Sequence, residues 1–433
     1  MLAVLRDRLR SIGPGLVLAA AGIGAGDVVV ASVTGIKFGT TLLWAVVFTV
    51  ALKFVLTEAL ARWQLATGET IVRAWVTRLP RGVAIYFAGY LLLWTFLVGA
   101  SLSSACGLAG ASLFPALSVP AWGAIHAIAA ALLVAGNRYA PFQRLMKFLI
   151  AAMALCVLAS ALAAAPAPSA VLVGLLVPKL PAAGGGAAVL ALLGGIGGSV
   201  TVVCYGYWMR AAGWSGADKL PVVRHDVRLA YVFTGAFGIA LMVVAAGVDA
   251  HGAGGARIAL EIAARLEAVA GPIIRAIFLA GFWCTVFTAM LGVWQGVPQI
   301  YADLIEAWRA GADRAHSSPL TFGNENASPA KAVVPASAPG VSRRIYLAAL
   351  GYIAVPPLTL LWFQQPVAVV IAFSIAGAFF MPFLAGTLLF LNNRRAWMGS
   401  LANGRLGNAA LLVCLLVFGA VCAREIVTAL TPR

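Results

Sequence analysis

Apolar runs of about 20 residues recur along the whole of this chain, and they constrain its fold more than any other feature of the sequence. A helix of that length crosses about 30 Å of hydrocarbon, because it rises about 1.5 Å per residue. The chain is 62% hydrophobic and 10% charged, whereas soluble domains carry about 25% charged residues. Since strand-like alternation of polar and apolar residues is absent from the sequence, we predict an all-α integral membrane protein.

The runs predict eleven transmembrane helices in a single domain that covers residues 1–433. Their expected bounds are 13–35, 40–62, 83–113, 119–136, 145–166, 187–212, 227–248, 270–300, 343–363, 366–391 and 407–430. A polar stretch over residues 301–342, rich in Ser, Ala, Pro and Asn, separates the eighth helix from the ninth. Its composition is typical of a flexible loop.

Most of the 30 Lys and Arg residues fall in loops on one side of this arrangement. The positive-inside rule then places the N-terminus and the 301–342 loop in the cytoplasm and the C-terminus outside. This topology is the one expected in a bacterial-type inner (plasma) membrane. It also accounts for the net charge of +16 without a nucleic-acid partner, so membrane lipid is the expected surrounding of the chain.

Glycine interrupts the first predicted helix. Residues 18–32 read LAAAGIGAGDVVVAS, where Gly22, Gly24 and Gly26 are followed at once by Asp27. Glycine costs about 1 kcal/mol relative to alanine in a helix interior, and opened backbone within lipid is tolerated only where it lines a cavity or is covered by protein. The pattern predicts an unwound helix whose carbonyls and carboxylate bind a ligand. The alternative is a packing helix, with Asp27 near the surface.

A second glycine-rich interruption falls in the sixth predicted helix. Four glycines precede Ser199 and Thr201 there, namely Gly194, Gly195, Gly197 and Gly198. Interrupted helices at corresponding places of two halves indicate an inverted repeat. We therefore expect a first repeat over 13–166, a second over 187–391, and an additional helix at 407–430.

Residues 13–48, GPGLVLAAAGIGAGDVVVASVTGIKFGTTLLWAVVF, resemble the first two helices of the Nramp family of divalent-metal transporters. The Gly13-Pro14 start and the segment KFGTTLLW occur at the family's spacing, and ARWQLATGET follows the second helix as in the family. The resemblance implies a secondary transporter of LeuT-type fold (the APC superfamily) that works by alternating access. In that fold, helices 1 and 6 unwind around the transported ion.

Two departures from the family pattern concern the ion ligands. The family's Asp-Pro-Gly-Asn motif aligns with Gly24 to Asp27, so the acid is displaced by three residues. The family's Met-Pro-His motif aligns with Thr201, Val202 and Val203. The remaining candidate ligands are all oxygens, from Asp27, Thr201 and the backbone near Gly22–Gly26 and Gly198. Such a set favours a hard divalent ion such as Mg²⁺ over Mn²⁺ or Fe²⁺, with no bound cofactor.

The third helix lacks the acids that carry protons in the family. Its stretch WTFLVGASLSSACGLAGASLF contains no Asp, Glu or His, and Phe96, Ser103 and Cys106 align with the family's acidic positions. A proton relay needs titratable groups. The resemblance therefore predicts that proton coupling of the family's type is lost.

Three further polar residues within predicted helices are candidates for the pathway. Lys53 either pairs with Asp27 or Glu58, takes the place of a coupling cation, or extends its amine towards the membrane surface. Glu58 either forms a local ion pair with Arg62, four residues away, or acts as a gate. Ser374, in the tenth helix, aligns with a polar position that the family has near the ion.

Two other functions remain open from the sequence. A small organic solute such as an amino acid could bind its carboxylate at the helix termini and its amine at Asp27. A channel would share the same architecture. An enzyme is not indicated, because no nucleophile, base and orienting group can be assembled from the predicted helices, and the sequence lacks an ATP-binding loop of the G-x-x-x-x-G-K-[ST] type.

Overall fold

A computed structural model of the protein describes residues 13–136, 138–164, 166–248, 258–317, 342–363 and 366–430, and the regular structure within these ranges is helical. The first half of the chain contains α1 (Pro14–Gly22), α2 (Ala25–Phe38), α3 (Leu43–Thr67), α4 (Ile71–Thr77), α5 (Arg81–Leu113), α6 (Val119–Val134), α7 (Tyr139–Ala163) and α8 (Pro168–Leu176).

The second half contains α9 (Gly185–Gly195), α10 (Thr201–Ala211), α11 (Leu220–Ala245), α12 (Ile258–Ala270), α13 (Pro272–Ser317), α14 (Arg343–Ala354), α15 (Pro366–Asn392), α16 (Arg395–Met398) and α17 (Arg405–Leu430). A 3₁₀ segment, Pro356–Phe363, follows α14 and completes the stretch predicted as the ninth membrane helix.

Seven helices of the described residues are long and apolar enough to cross a membrane. The pair α1 and α2, bent by 60° at its break, makes an eighth span if it is counted as one. Three shorter apolar helices, Val119–Val134, Gly185–Gly195 and Phe379–Asn392, fall where the sequence predicts the fourth, sixth and tenth spans. The protein is therefore a multi-pass membrane protein.

The predicted loop at 301–342 is wrong over its first part. Helix α13 continues through these residues as far as Ser317. Tyr301, Leu304 and Ala307 are buried at a spacing of three, so one face of the helix keeps packing after the long apolar run has ended. The rest of that prediction, residues 318–341, lies outside the described residues.

Helix α13 lies at the centre of the bundle, where it packs against α5, α7, α12 and α14. Small residues allow several of the close approaches. A Cβ atom on Gly35 of α2 would lie 2.3 Å from the carbonyl oxygen of Met242 in α11, and one on Gly292 of α13 would lie 2.2 Å from the Cβ of Ala21 in α1. Backbone contact of this kind is how helices associate in lipid, where burial of apolar side chains gives little driving force.

Replacing Gly35 with alanine should therefore separate α2 from α11. We expect Gly35→Ala to lower the stability of the detergent-solubilised protein by about 1–3 kcal/mol, seen as a lower apparent melting temperature. Gly89→Ala is the matched control, since Gly89 is exposed within α5 and a Cβ there meets no atom within 4 Å. Equal melting temperatures for the two variants would contradict the packing described above.

Candidate functional site

The first interruption lies between α1, which ends at Gly22, and α2, which begins at Ala25. Gly24 has extended backbone, with φ −129° and ψ −160°, and directly precedes α2. The helix axis turns by 60° at this point. The backbone donors at the start of α2 consequently need partners from outside the helix.

The second interruption lies between α9, which ends at Gly195, and α10, which begins at Thr201. Gly197 and Gly198 have φ angles of +81° and +73°. An L residue with a side chain is strained in this left-handed region, so two consecutive glycines allow the chain to turn here.

The two interruptions touch each other through their backbones. A Cβ atom on Gly22 would lie 3.3 Å from the carbonyl carbon of Gly197, and one on Gly198 would lie 3.1 Å from the Cα atom of Gly22. Glycine is needed on both sides for so close an approach. The broken halves of the two helices thus meet at one place within the bundle.

Asp27 joins the two interruptions and is only 5% exposed. Its Oδ2 accepts a hydrogen bond from the backbone N–H of Gly24 at 2.9 Å. Its Oδ1 accepts one from the backbone N–H of Gly197 at 2.7 Å. At each interruption, the carboxylate therefore accepts a hydrogen bond from a backbone N–H that has no partner within the described residues of its own helix. A capping side chain does the same at an ordinary helix N-terminus.

Lys53 of α3 binds backbone carbonyls of the second interruption and is fully buried. Its Nζ donates to the carbonyl oxygen of Gly198 at 2.7 Å and to that of Ile196. Between these two carbonyls lies the N–H of Gly197 that Asp27 accepts. Lys53 and Asp27 are not among the seven ion pairs found in the described residues. Instead, Lys53 binds the carbonyl and Asp27 the N–H of the same peptide unit, the one between Ile196 and Gly197.

A small cavity of about 30 Å³ lies against both interruptions. Its wall includes six of the residues that the sequence singled out for ligand binding, namely Gly22, Gly24, Gly26, Asp27, Gly198 and Thr201. The Thr201 hydroxyl is buried without a hydrogen-bond partner in the described part of the protein. A buried hydroxyl left without a partner costs free energy, which marks this atom as a candidate ligand.

The sequence as a whole matches the family model described as Natural resistance-associated macrophage protein-like, or Nramp, over residues 15–428. The chain belongs to the Nramp family. A comparison with curated protein sequences gave no match.

Solved structures of transporters share the fold of this Nramp-family chain. A mutant of the Eremococcus coleocola manganese transporter is 14% identical, with a TM-score of 0.76 over 98% of this chain and 87% of that one. MHP1, a nucleobase-cation-symport-1 family transporter, is 13% identical, with a TM-score of 0.58 over 98% and 93%. MhsT in complex with L-phenylalanine is 18% identical, with a TM-score of 0.51 over 93% and 98%. At these identities the likeness concerns the fold alone, which is of the LeuT type.

Glu58 and Lys53 are absent from the described wall of the cavity. Glu58 forms the expected local ion pair with Arg62, at 3.2 Å, and a second one with Arg224 of α11, at 2.9 Å. Lys53 contacts the second interruption through the carbonyl oxygen of Gly198. The side chain of Ser374 lies outside the described residues, although Phe373 and Gly377 beside it line the cavity.

Two polar residues that contact the interrupted helices or the stretch between them, Trp94 and Asp226, were not predicted from the sequence. Trp94 of α5 lines the cavity and donates its indole N–H to the Ser199 hydroxyl at 3.0 Å. Asp226 lies one residue before the predicted seventh helix, yet it is only 2% exposed. It accepts hydrogen bonds from the backbone N–H of Gly15 at 2.6 Å and from the Tyr205 hydroxyl at 2.9 Å, which links α1, α10 and α11. Its closeness to a predicted membrane boundary was the one available signal.

The positive φ of Gly198 and its contact with Gly22 yield a test of this geometry. We expect Gly198→Ala to lower the apparent melting temperature more than Gly213→Ala does. Both positions have similar φ angles, +73° and +74°, but a Cβ on Gly213 meets nothing within 4 Å. One on Gly198 lies 2.2 Å from the Thr201 hydroxyl and 3.1 Å from the Cα atom of Gly22 in the first interruption. Both variants strain the backbone, and overpacking should destabilise Gly198→Ala by about 1–3 kcal/mol more.

Thermal unfolding of the two variants in the same detergent measures this difference. An equal loss in both would show that the two interruptions do not approach each other as closely as described.

Proposed function

We propose that this Nramp-family protein is a secondary transporter that moves a divalent cation by alternating access, with a preference for hard, Mg²⁺-like ions. The observation that carries the proposal is the unpartnered Thr201 hydroxyl on the wall of the cavity that Asp27 also lines. A metal ion coordinated by that oxygen would supply the missing partner. The ion would then have ligands from both interrupted helices.

The Asp27 carboxylate retains capacity for an ion. An ionised carboxylate offers about four acceptor sites, and the described hydrogen bonds from Gly24 and Gly197 use two of them. These bonds also hold the carboxylate in a fixed orientation. The ion would therefore bind to a ligand that needs little rearrangement.

The chemistry of the cavity wall favours a hard ion. Its described lining includes neither His, Cys nor Met, the nitrogen and sulfur ligands that suit transition metals. No group of three or more His, Cys, Asp and Glu side chains able to hold a metal is found in the described residues, so backbone and hydroxyl oxygens would have to complete the coordination by Asp27. A site with one carboxylate and neutral oxygens suits Mg²⁺, a hard ion that prefers oxygen ligands.

The size of the cavity supports an ion over an organic solute. A volume of about 30 Å³ accommodates about two water-sized occupants. An amino acid would need a larger space, and Asp27 already accepts backbone donors where an amine would bind. The organic-solute alternative is not favoured.

The proposed transport cycle uses the arrangement of the interrupted helices. We infer an inverted repeat of 13–166 and 187–391 plus the helix at 407–430, eleven spans in all, and a cytoplasmic N-terminus in a bacterial-type plasma membrane. The cavity also contacts Val98 of α5, Val293 of α13 and Gly377 of α15. Movement of the half-helices α1 and α10 against these helices would open the cavity to one side of the membrane at a time.

Uptake of Mg²⁺ into proteoliposomes tests the proposed ligands. We expect Thr201→Val to raise KM about 10-fold, the loss of one oxygen ligand to a charged species, and Asp27→Asn to abolish saturable uptake. Mn²⁺ should inhibit uptake no more strongly than an equal concentration of unlabelled Mg²⁺.

Two matched controls accompany this assay. Thr49→Val removes an equally buried hydroxyl that donates to the Ala45 carbonyl of its own helix. Asp218→Asn removes a carboxylate whose side chain is 71% exposed. Both controls should transport normally. A normal KM for Thr201→Val, or uptake by Asp27→Asn, would contradict the proposed ion site, and unsaturable conductance would indicate a channel.

Loss of proton coupling is a second component of the proposal, supported by the absence of titratable acids or histidine from residues 94–114. Imposing a pH gradient across the proteoliposomes should leave the initial rate of Mg²⁺ uptake unchanged. A pH-sensitive dye in the lumen should report no acidification beyond that of liposomes containing Asp27→Asn. Proton entry that rises in proportion to metal uptake would contradict this part of the proposal.

A further inference from the structure

A fully desolvated lysine side chain holds the second interruption in place. Lys53 is 0% exposed, and its Nζ donates to the carbonyl oxygens of Ile196 and Gly198. Both carbonyls belong to the stretch where the helical hydrogen bonds are lost. An ammonium bound by opened helix carbonyls has the same kind of oxygen ligands as an inorganic cation bound at a helix break.

The surroundings of Lys53 provide few other compensations for its charge. A Cβ on Gly197 would lie 3.3 Å from the Lys53 Cδ atom and 3.5 Å from the ring of Tyr231, so the lysine stem and the aromatic ring both lie close to the backbone of Gly197. Glu58, five residues further along α3, forms ion pairs with Arg62 and Arg224. The carboxylate nearest along the hydrogen-bonded path is Asp27, on the other side of Gly197.

Burying an ammonium is costly unless dipoles and an opposite charge compensate it. Here the two carbonyl dipoles and the Asp27 carboxylate provide that compensation. The dependence is mutual, because without a cation the two carbonyls would be buried without these donors and the Asp27 carboxylate would lose its neighbouring opposite charge. A cation at this position is therefore part of what stabilises the break.

We propose that Lys53 is a built-in cation, which occupies the position where the broken sixth helix would otherwise bind a monovalent ion. Its ammonium orders the carbonyls of Ile196 and Gly198 and balances the charge of Asp27. The break consequently stays formed without an ion from solution. Lys53 acts as a positioning residue, since it does not line the cavity and reaches the transported ion only through the backbone of residues 196–198.

This inference predicts that removing the side chain creates a binding site for a small monovalent cation. Lys53→Ala leaves the carbonyls and Asp27 in place and frees the space of the amine. Methylammonium, which matches the end of the lysine chain, or Na⁺ should then bind there, whereas choline is too large. Lys53→Ser serves as a second variant, because it frees most of the same space and leaves one hydroxyl oxygen.

Thermal unfolding of the purified full-length protein, with no divalent metal present, tests the inference. Melting temperatures are compared in methylammonium, sodium and choline chlorides at equal ionic strength. In choline chloride both variants should melt below the wild type. Methylammonium or Na⁺ should raise their midpoints by about 3 °C or more, with no comparable shift for the wild type or for Lys37→Ala, which removes an exposed lysine of α2.

Midpoints that do not depend on the cation in either variant would overturn the inference, as would an equal shift in the wild type. Failure of both variants to fold in all three salts would also overturn it, because the proposal requires an added cation to restore the break. The assay contains no transported metal, so its result is independent of the proposed transport function. A protein that fails to transport Mg²⁺ could still show the cation-dependent shift.

Discussion

The Asp27 carboxylate accepts one backbone hydrogen bond from each interrupted helix, from Gly24 and from Gly197, and the cavity between the helices depends on these two bonds. A helix that opens within a membrane exposes donors and acceptors that lipid cannot satisfy. Asp27 supplies acceptors for the exposed donors, and Lys53 supplies donors for two of the exposed acceptors. At the second interruption, Asp27 thus binds a backbone N–H and Lys53 binds backbone carbonyls, all within residues 196–198.

The predicted three-residue displacement of the acid from its position in the Nramp pattern fits this pairing. At Asp27 the carboxylate lies in the first turn of α2, where it interacts favourably with the helix N-terminus and reaches back to Gly24. It still lines the cavity. A single residue can therefore act as a helix cap towards the backbone and present its remaining oxygen lone pairs to the cavity.

Much of this arrangement is readable from the sequence, because membrane helices and glycine-rich interruptions have strong local patterns. Helix bounds such as Arg81–Leu113 and Pro366–Asn392 lie within a few residues of the predicted ones. The partners of Lys53 were not predictable, because they are backbone carbonyls more than 140 positions away and carbonyls leave no trace in residue type. Asp226 and the extension of α13 were missed because hydropathy alone ends a helix where polar residues begin, although burial of one face continues.

The position of a bound divalent ion would show whether Asp27 and Thr201 are its ligands. Anomalous diffraction from crystals of the wild-type protein soaked in Mn²⁺, an oxygen-binding ion with a measurable signal, would reveal where a divalent metal binds. We expect one strong peak between Asp27 and the Thr201 hydroxyl, within coordination distance of both. A peak elsewhere in the bundle, or no peak in the cavity at a saturating concentration of metal, would contradict it.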